Sequence, residues 1–145
     1  MKNIFVCIIF SVLVFSCSSN KEENSKKNKS ELEYIDQENP AEISAENFEY
    51  NFGEIAQGEK ISHVFKFTNT GKSSLVINDA KSTCGCTIPT YTKEPIAPGE
   101  TGELLVKFDS KGKKGNINKQ VTVQANTYPN TSTIFYIKGN VITPK

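Results

Sequence analysis

The chain has 145 residues, 17 lysines against 16 acidic residues for a formal net charge of +1, four cysteines, and neither Trp nor Arg. That length holds one domain. The missing guanidinium, the forked donor that reads phosphates and guanine edges, argues against nucleic acid as a partner.

Only the N-terminus is apolar over any length. Lys2 supplies a charged start and Ile4 to Val14 is almost wholly apolar, the size of a secretory core segment of about 7 to 15 residues and too short for a spanning helix. The end of that segment, Val14-Phe15-Ser16-Cys17, resembles the lipobox of bacterial lipoproteins, with Val14 where Leu is usual and Phe15 where a small residue is usual. The resemblance implies that residues 1–16 are removed and that Cys17 is lipidated as the new first residue. Two or three acyl chains there, at about 0.8 kcal/mol per buried methylene, hold a protein firmly on a bilayer.

Residues 17–45 read as the lipidated cysteine and a flexible linker. Ser18 to Glu38 has only Leu32, Tyr34 and Ile35 as apolar residues, too few to offset chain entropy. Between Ser18 and Ala45 four lysines face seven acids, whereas Glu46 to Lys145 has twelve lysines against nine. The run Ser18 to Glu23 resembles the acidic export signals of surface lipoproteins of the Bacteroidota. The tract is equally ordinary in a solvated tether, so the expected address is the cell envelope, lipid-anchored and extracytoplasmic, with a periplasm-facing position favoured over the cell surface.

From Glu46 to Lys145 the pattern changes to short alternating segments bounded by turn residues, the mark of an all-β domain. Phe48, Tyr50 and Phe52 share one face of a first strand, and Ile61, His63, Phe65 and Phe67 one face of a second. Leu75 to Ile77 form a third, Thr87 to Tyr91 a short fourth, and Leu104, Val106 and Phe108 mark a fifth. Ile117 to Ala125 and Ile134 to Ile142 complete the set. Lys111-Gly112-Lys113-Lys114-Gly115-Asn116 reads as a solvated hairpin tip. About seven strands in this length predict an immunoglobulin-like β-sandwich, although the Trp and widely spaced cysteine pair of antibody domains are missing. Its expected core is Phe48, Phe52, Phe65, Phe67, Leu75, Ile77, Val106, Phe108, Val121, Val123, Phe135 and Ile137.

Phe52-Gly53-Glu54-Ile55, His63 to Gly71, Cys84-Gly85-Cys86-Thr87, Pro98-Gly99-Glu100 and Lys138-Gly139-Asn140-Val141, in that order, resemble the bacterial domain of unknown function 1573. The similarity spans Glu46 to Val141. It implies an immunoglobulin-like domain, often on a lipoprotein and related in shape to the major-sperm-protein and ASH domains, with no established activity.

Cys84 and Cys86 are the candidate disulfide or thiol site. Residues two apart in an extended strand have Cα atoms about 6.6 to 6.8 Å apart, the outer limit for a disulfide. Gly85, lacking a Cβ, is the residue that lets the chain fold tighter. Three readings stand side by side: a structural bend with buried or oxidised cysteines, a soft-metal site for an ion such as Cu(I), and thiol–disulfide exchange. For a metal, His63 is the one additional strong ligand, yet a lone histidine on the face of Phe65 and Phe67 more often belongs to a core. No catalytic constellation and no required cofactor stand out. The expected function is therefore a membrane-anchored, non-catalytic binding or assembly module whose partner is an envelope protein, with exposed sheet edges offering a place for a partner's strand; the alternative is a thiol-active protein using the Cys84-Gly85-Cys86 pair.

Overall fold

A computed structural model describes residues 35–143. Eight strands run in chain order: β1 (Ile43–Ala45), β2 (Glu49–Ala56), β3 (Lys60–Asn69), β4 (Ile77–Ser82), β5 (Thr87–Tyr91), β6 (Thr101–Asp109), β7 (Gly115–Ala125) and β8 (Ser132–Ile142). They form two four-stranded sheets, β1-β3-β6-β5 and β2-β8-β7-β4, antiparallel throughout except for the parallel pair β2·β8. The sheets face one another as an immunoglobulin-like sandwich.

Alternation drives this packing. Along β6, Gly102, Leu104, Val106 and Phe108 are buried while Glu103 and Lys107 are exposed; β7 and β8 bury Val121, Val123, Phe135 and Ile137 in the same way. Ten of the twelve expected core residues are buried; Phe48 and Phe52 are partly buried against the core. The Phe52 ring occupies the place where a Cβ on Gly139 would stand, and Phe67 and Ile96 do the same over Gly102. These two glycines in strand interiors are thus sites of close approach.

Three boundaries differ from the sequence reading. β1 lies inside the stretch assigned to the linker: Ile43, Ser44 and Ala45 pair with Asn69, Thr68 and Phe67, and Ala41 is fully buried. The cause is Asn69, itself fully buried, whose Nδ2 donates to Ser73 O (2.8 Å) and Ile96 O (2.9 Å). Its Oδ1 accepts from Gly71 N (3.0 Å) and Glu42 N (3.4 Å), tying the incoming chain to the turn. Second, Leu75 precedes its strand, exchanging backbone hydrogen bonds with Ile96 of 2.8 and 2.9 Å. Third, the strand does not end at Ile77; β4 continues through Asn78-Asp79 to Ser82 with a bulge opposite β7.

The terminal strands of both sheets carry devices that discourage pairing. β1 has only 3 residues. β2 is broken by a bulge at Gly53, which has φ of 75° and an N–H donated to Asn51 Oδ1 (2.9 Å). On β5 the hydrogen bonds Asp109 N to Cys86 O and Thr92 N to Glu103 O show that even-numbered residues bond to β6. Odd-numbered ones therefore face the free edge, and the central one is Pro89, which has no N–H to offer. On β4 the outward N–H of Ala80 is taken by Asp79 Oδ1 (2.9 Å), a carboxylate that also pairs with Lys81 Nζ at 2.6 Å. Short strands, bulges, prolines and edge charges are the means by which sheets avoid strand addition. The terminal edges are thus poor acceptors of a partner strand, contrary to what the strand count alone suggests.

Candidate functional site

β4 belongs to one sheet and β5 to the other, so the four residues Thr83 to Cys86 between them carry the chain across the sandwich. Thr83 N donates to Gln120 O (3.3 Å), the last backbone bond from this line of chain to β7. Thr87 N then donates to Cys84 O (3.2 Å), closing a turn, and Asp109 N donates to Cys86 O (2.9 Å), which starts β5 on β6.

Inside that turn Cys84 and Cys86 are joined as a disulfide, with Cα atoms 5.3 Å apart. The separation is well below that of an extended strand and within the ordinary range for a disulfide. Both sulfurs lie near the Thr87 hydroxyl, at 3.8 and 3.9 Å, and Cys86 packs against the core. Gly85 departs from expectation. It is exposed, its φ is not in the left-handed region, and a Cβ built on it meets nothing within 4 Å. Neither backbone conformation nor space in the folded domain calls for glycine there.

His63 is remote in role from the cysteines. It sits on β3, opposite Val106 of β6, and its ring stacks on Tyr50 of the other sheet (centroids 3.7 Å, planes 6° apart) with Phe65 edge-on at 4.6 Å. Burial holds its pKa below the ordinary 6.5. It is an inter-sheet packing residue that favours the neutral ring. The candidate metal set Cys84, Cys86 and His63 is therefore not assembled: the sulfurs are bonded to one another, and among the described residues no three His, Cys, Asp or Glu converge on one point. A chelate for Cu(I) needs two thiolates that this state does not supply.

Other buried polar side chains also serve the backbone. Ser110 Oγ donates to Glu59 O (2.7 Å), lies 3.1 Å from Ala56 O and accepts from Gly58 N (2.9 Å), clamping the β2–β3 turn. Thr127 Oγ1 donates to Asn130 O (2.5 Å) beside a shallow surface hollow lined by Glu42, Ile43, Tyr128 and Pro129. Sequence reasoning passed over Asn69 and Ser110 because both look like ordinary turn residues. Cys17 and the lipobox lie outside the described residues.

The fold and this cross-linked turn define a class: a small immunoglobulin-like β-sandwich carrying a C-G-C disulfide in the turn between its sheets. The chain belongs to the family described as "protein of unknown function (DUF1573)", whose pattern matches residues 43–141. A comparison with curated proteins gives no match. Among solved structures it is similar to a protein of unknown function from Porphyromonas gingivalis W83 (TM-score 0.61, 14% identity, 69% of this chain and 46% of that one). It is also similar to the ASH/PapD-like domain 7 of human CEP192 (TM-score 0.57, 12% identity, 71% and 87%). A third is the VesB protease of Vibrio cholerae (TM-score 0.56, 16% identity, 69% and 31%). This chain thus spans less than half of the Porphyromonas protein and about a third of VesB. At these identities the likeness concerns the fold.

Proposed function

We propose that the protein is a non-catalytic binding or assembly module of the cell envelope, held on a membrane by lipid at Cys17 and presenting its sandwich to an envelope protein. The observation that carries this reading is the use made of its reactive side chains. The one histidine is an inter-sheet stacking residue, the two domain cysteines are cross-linked, and the buried polar groups Asn69, Ser110 and Thr127 bond to backbone. What remains for function is surface, and a β-sandwich can recognise a partner through main-chain and surface contacts without a catalytic set.

The test is photo-cross-linking in living cells from exposed positions on different faces, Ile88 on β5 and Asn118 on β7. A discrete adduct with one envelope protein is the expected result. No adduct from any exposed position, together with loss of a cellular phenotype in the Cys84→Ser, Cys86→Ser variant at unchanged melting temperature, would favour thiol chemistry over binding.

A further inference from the structure

One stretch of sheet edge lacks the devices found on the terminal strands, and it lies in the interior of a sheet's strand order. β7 runs for 11 residues, but β4 pairs with it only from Val121 to Ala125, and Thr83 adds one more bond at Gln120. Because Gln120 O accepts from Thr83 N, the even-numbered residues of β7 direct their backbone groups towards β4. Ala125 N donates to Thr131 O on the β8 side, which confirms that odd-numbered residues face the other way. The N–H and C=O groups of Asn116 and Asn118 therefore point at the place where β4 would continue had the chain not turned away at Cys84. Both residues are exposed, and among the described residues no strand occupies that place. The disulfide-closed turn ends one line of chain and leaves a notch five residues long, Gly115 to Lys119.

Lysines dominate the chemistry around the notch, and the carboxylates near it are engaged: Glu54 accepts from Asn140, the β8 partner of Asn116, and Asp109 pairs with Lys60. Lys119 stands at the inward parity of β7, between buried Ile117 and Val121, yet is only partly buried. Lys111, Lys113 and Lys114 precede the notch in the β6–β7 connection. None of these four lysines takes part in the ion pairs found among the described residues. We infer that the Gly115–Lys119 edge of β7 is a docking site for an extended acidic peptide segment of a partner protein, added antiparallel to β7 as a prolongation of β4. Main-chain bonds to Asn116 and Asn118 supply the pairing, an apolar side chain covers Ile117, and a carboxylate two residues before it meets Lys119. The lysine loop accelerates encounter with the acidic segment. The proposal rests on the binding-module reading and names its surface and its partner's chemistry.

The probe is the capped pentapeptide acetyl-Glu-Thr-Val-Thr-Glu-amide, titrated into the isotope-labelled full chain in detergent and followed by amide chemical shifts. Shifts concentrated on Gly115 to Gln120 are expected, weakening as salt is raised. Methylating the amide nitrogen of the central Val-flanking Thr that faces Asn118, or substituting Asn118→Pro, should each reduce affinity at least about tenfold. Proline is tolerated there because the lost N–H faces the open edge and not β8. Lys119→Glu should abolish the shifts, and the peptide acetyl-Lys-Thr-Val-Thr-Glu-amide should restore them. Shifts absent from Gly115 to Gln120, shifts unchanged in a folded Asn118→Pro variant, or failure of the charge swap would each overturn the site. If Asn118→Pro still forms the envelope adduct from a cross-linker at Ile88, the binding reading stands and this edge falls. If neither protein forms it, the binding reading fails with it.

Discussion

Asn69 joins four backbone groups, the carbonyls of Ser73 and Ile96 and the N–H groups of Gly71 and Glu42, of which only the Ile96 carbonyl also accepts from a backbone N–H, that of Leu75. Replacing it with Ala strands several of these in the interior, each at about 1 to 3 kcal/mol. Asn69→Ala is therefore expected to cost about 3 kcal/mol or more, a fall in melting temperature of about 10 °C or more for a domain of this size, read by circular dichroism. A loss under about 1 kcal/mol would show that the turn holds without it. At His63 the prediction is one of pH. Its folded pKa lies below 6.5 because burial disfavours the imidazolium. Over the window below 6.5 the unfolded chain thus binds more protons than the folded one, and stability falls as pH drops until the folded ring titrates too. His63→Phe should flatten that part of the stability-versus-pH curve; an unchanged slope would mean another group sets it.

Among the elements, the β4–β5 crossing shows how little covalent constraint a three-residue ring supplies. The chain-entropy relation gives about 1.5 kcal/mol for so small a loop. Cys84→Ser with Cys86→Ser is accordingly expected to leave the fold intact and lower stability by about that amount. Gly85→Ala should change stability by less than about 0.5 kcal/mol, since its φ and its surroundings accept a side chain. Chemical denaturation of both variants checks the order, and a larger loss from Gly85→Ala would contradict the geometry of the turn. The long strands β3, β6, β7 and β8 were readable from alternation because each buries one face. β1 was not, for Ile-Ser-Ala in a polar run has no period of its own and is held in place by the bonds of Glu42 and Pro40 to the Asn69–Lys72 turn. Asn78-Asp79 carries turn chemistry, yet β7 offered partners to the residues on either side and the ladder continued through a bulge. The cysteine spacing gave the possibility of a bond and not its state. The notch on β7 was illegible altogether, because it depends on where a non-neighbouring strand stops.

At the scale of the molecule, the chain enters at one end of the sandwich and its unusual features gather towards the other. Ala41 bridges Thr127, and Lys72 N donates to Pro40 O (2.9 Å), so the entry lies by the end of β3 and the β7–β8 turn. The Lys60·Asp109 pairing, the β6–β7 lysine loop and the last strand's end at Ile142 define the opposite end, and Cys86 lies beside Asp109. On the proposed lipid-anchored reading, the chain from Cys17 would reach the domain at this entry end, and the β7 notch lies at the opposite end, outward from the bilayer. This arrangement predicts a clean separation of anchoring from folding. The sheets and core described here lie within Ala41 to Ile142, so Cys17→Ser should move the protein from the membrane to the soluble fraction while leaving its melting temperature unchanged. Palmitate labelling should disappear in the same variant. Membrane retention equal to the wild type after a carbonate wash would show that something other than a lipid at Cys17 holds the protein, and the outward orientation of the notch would lose its basis.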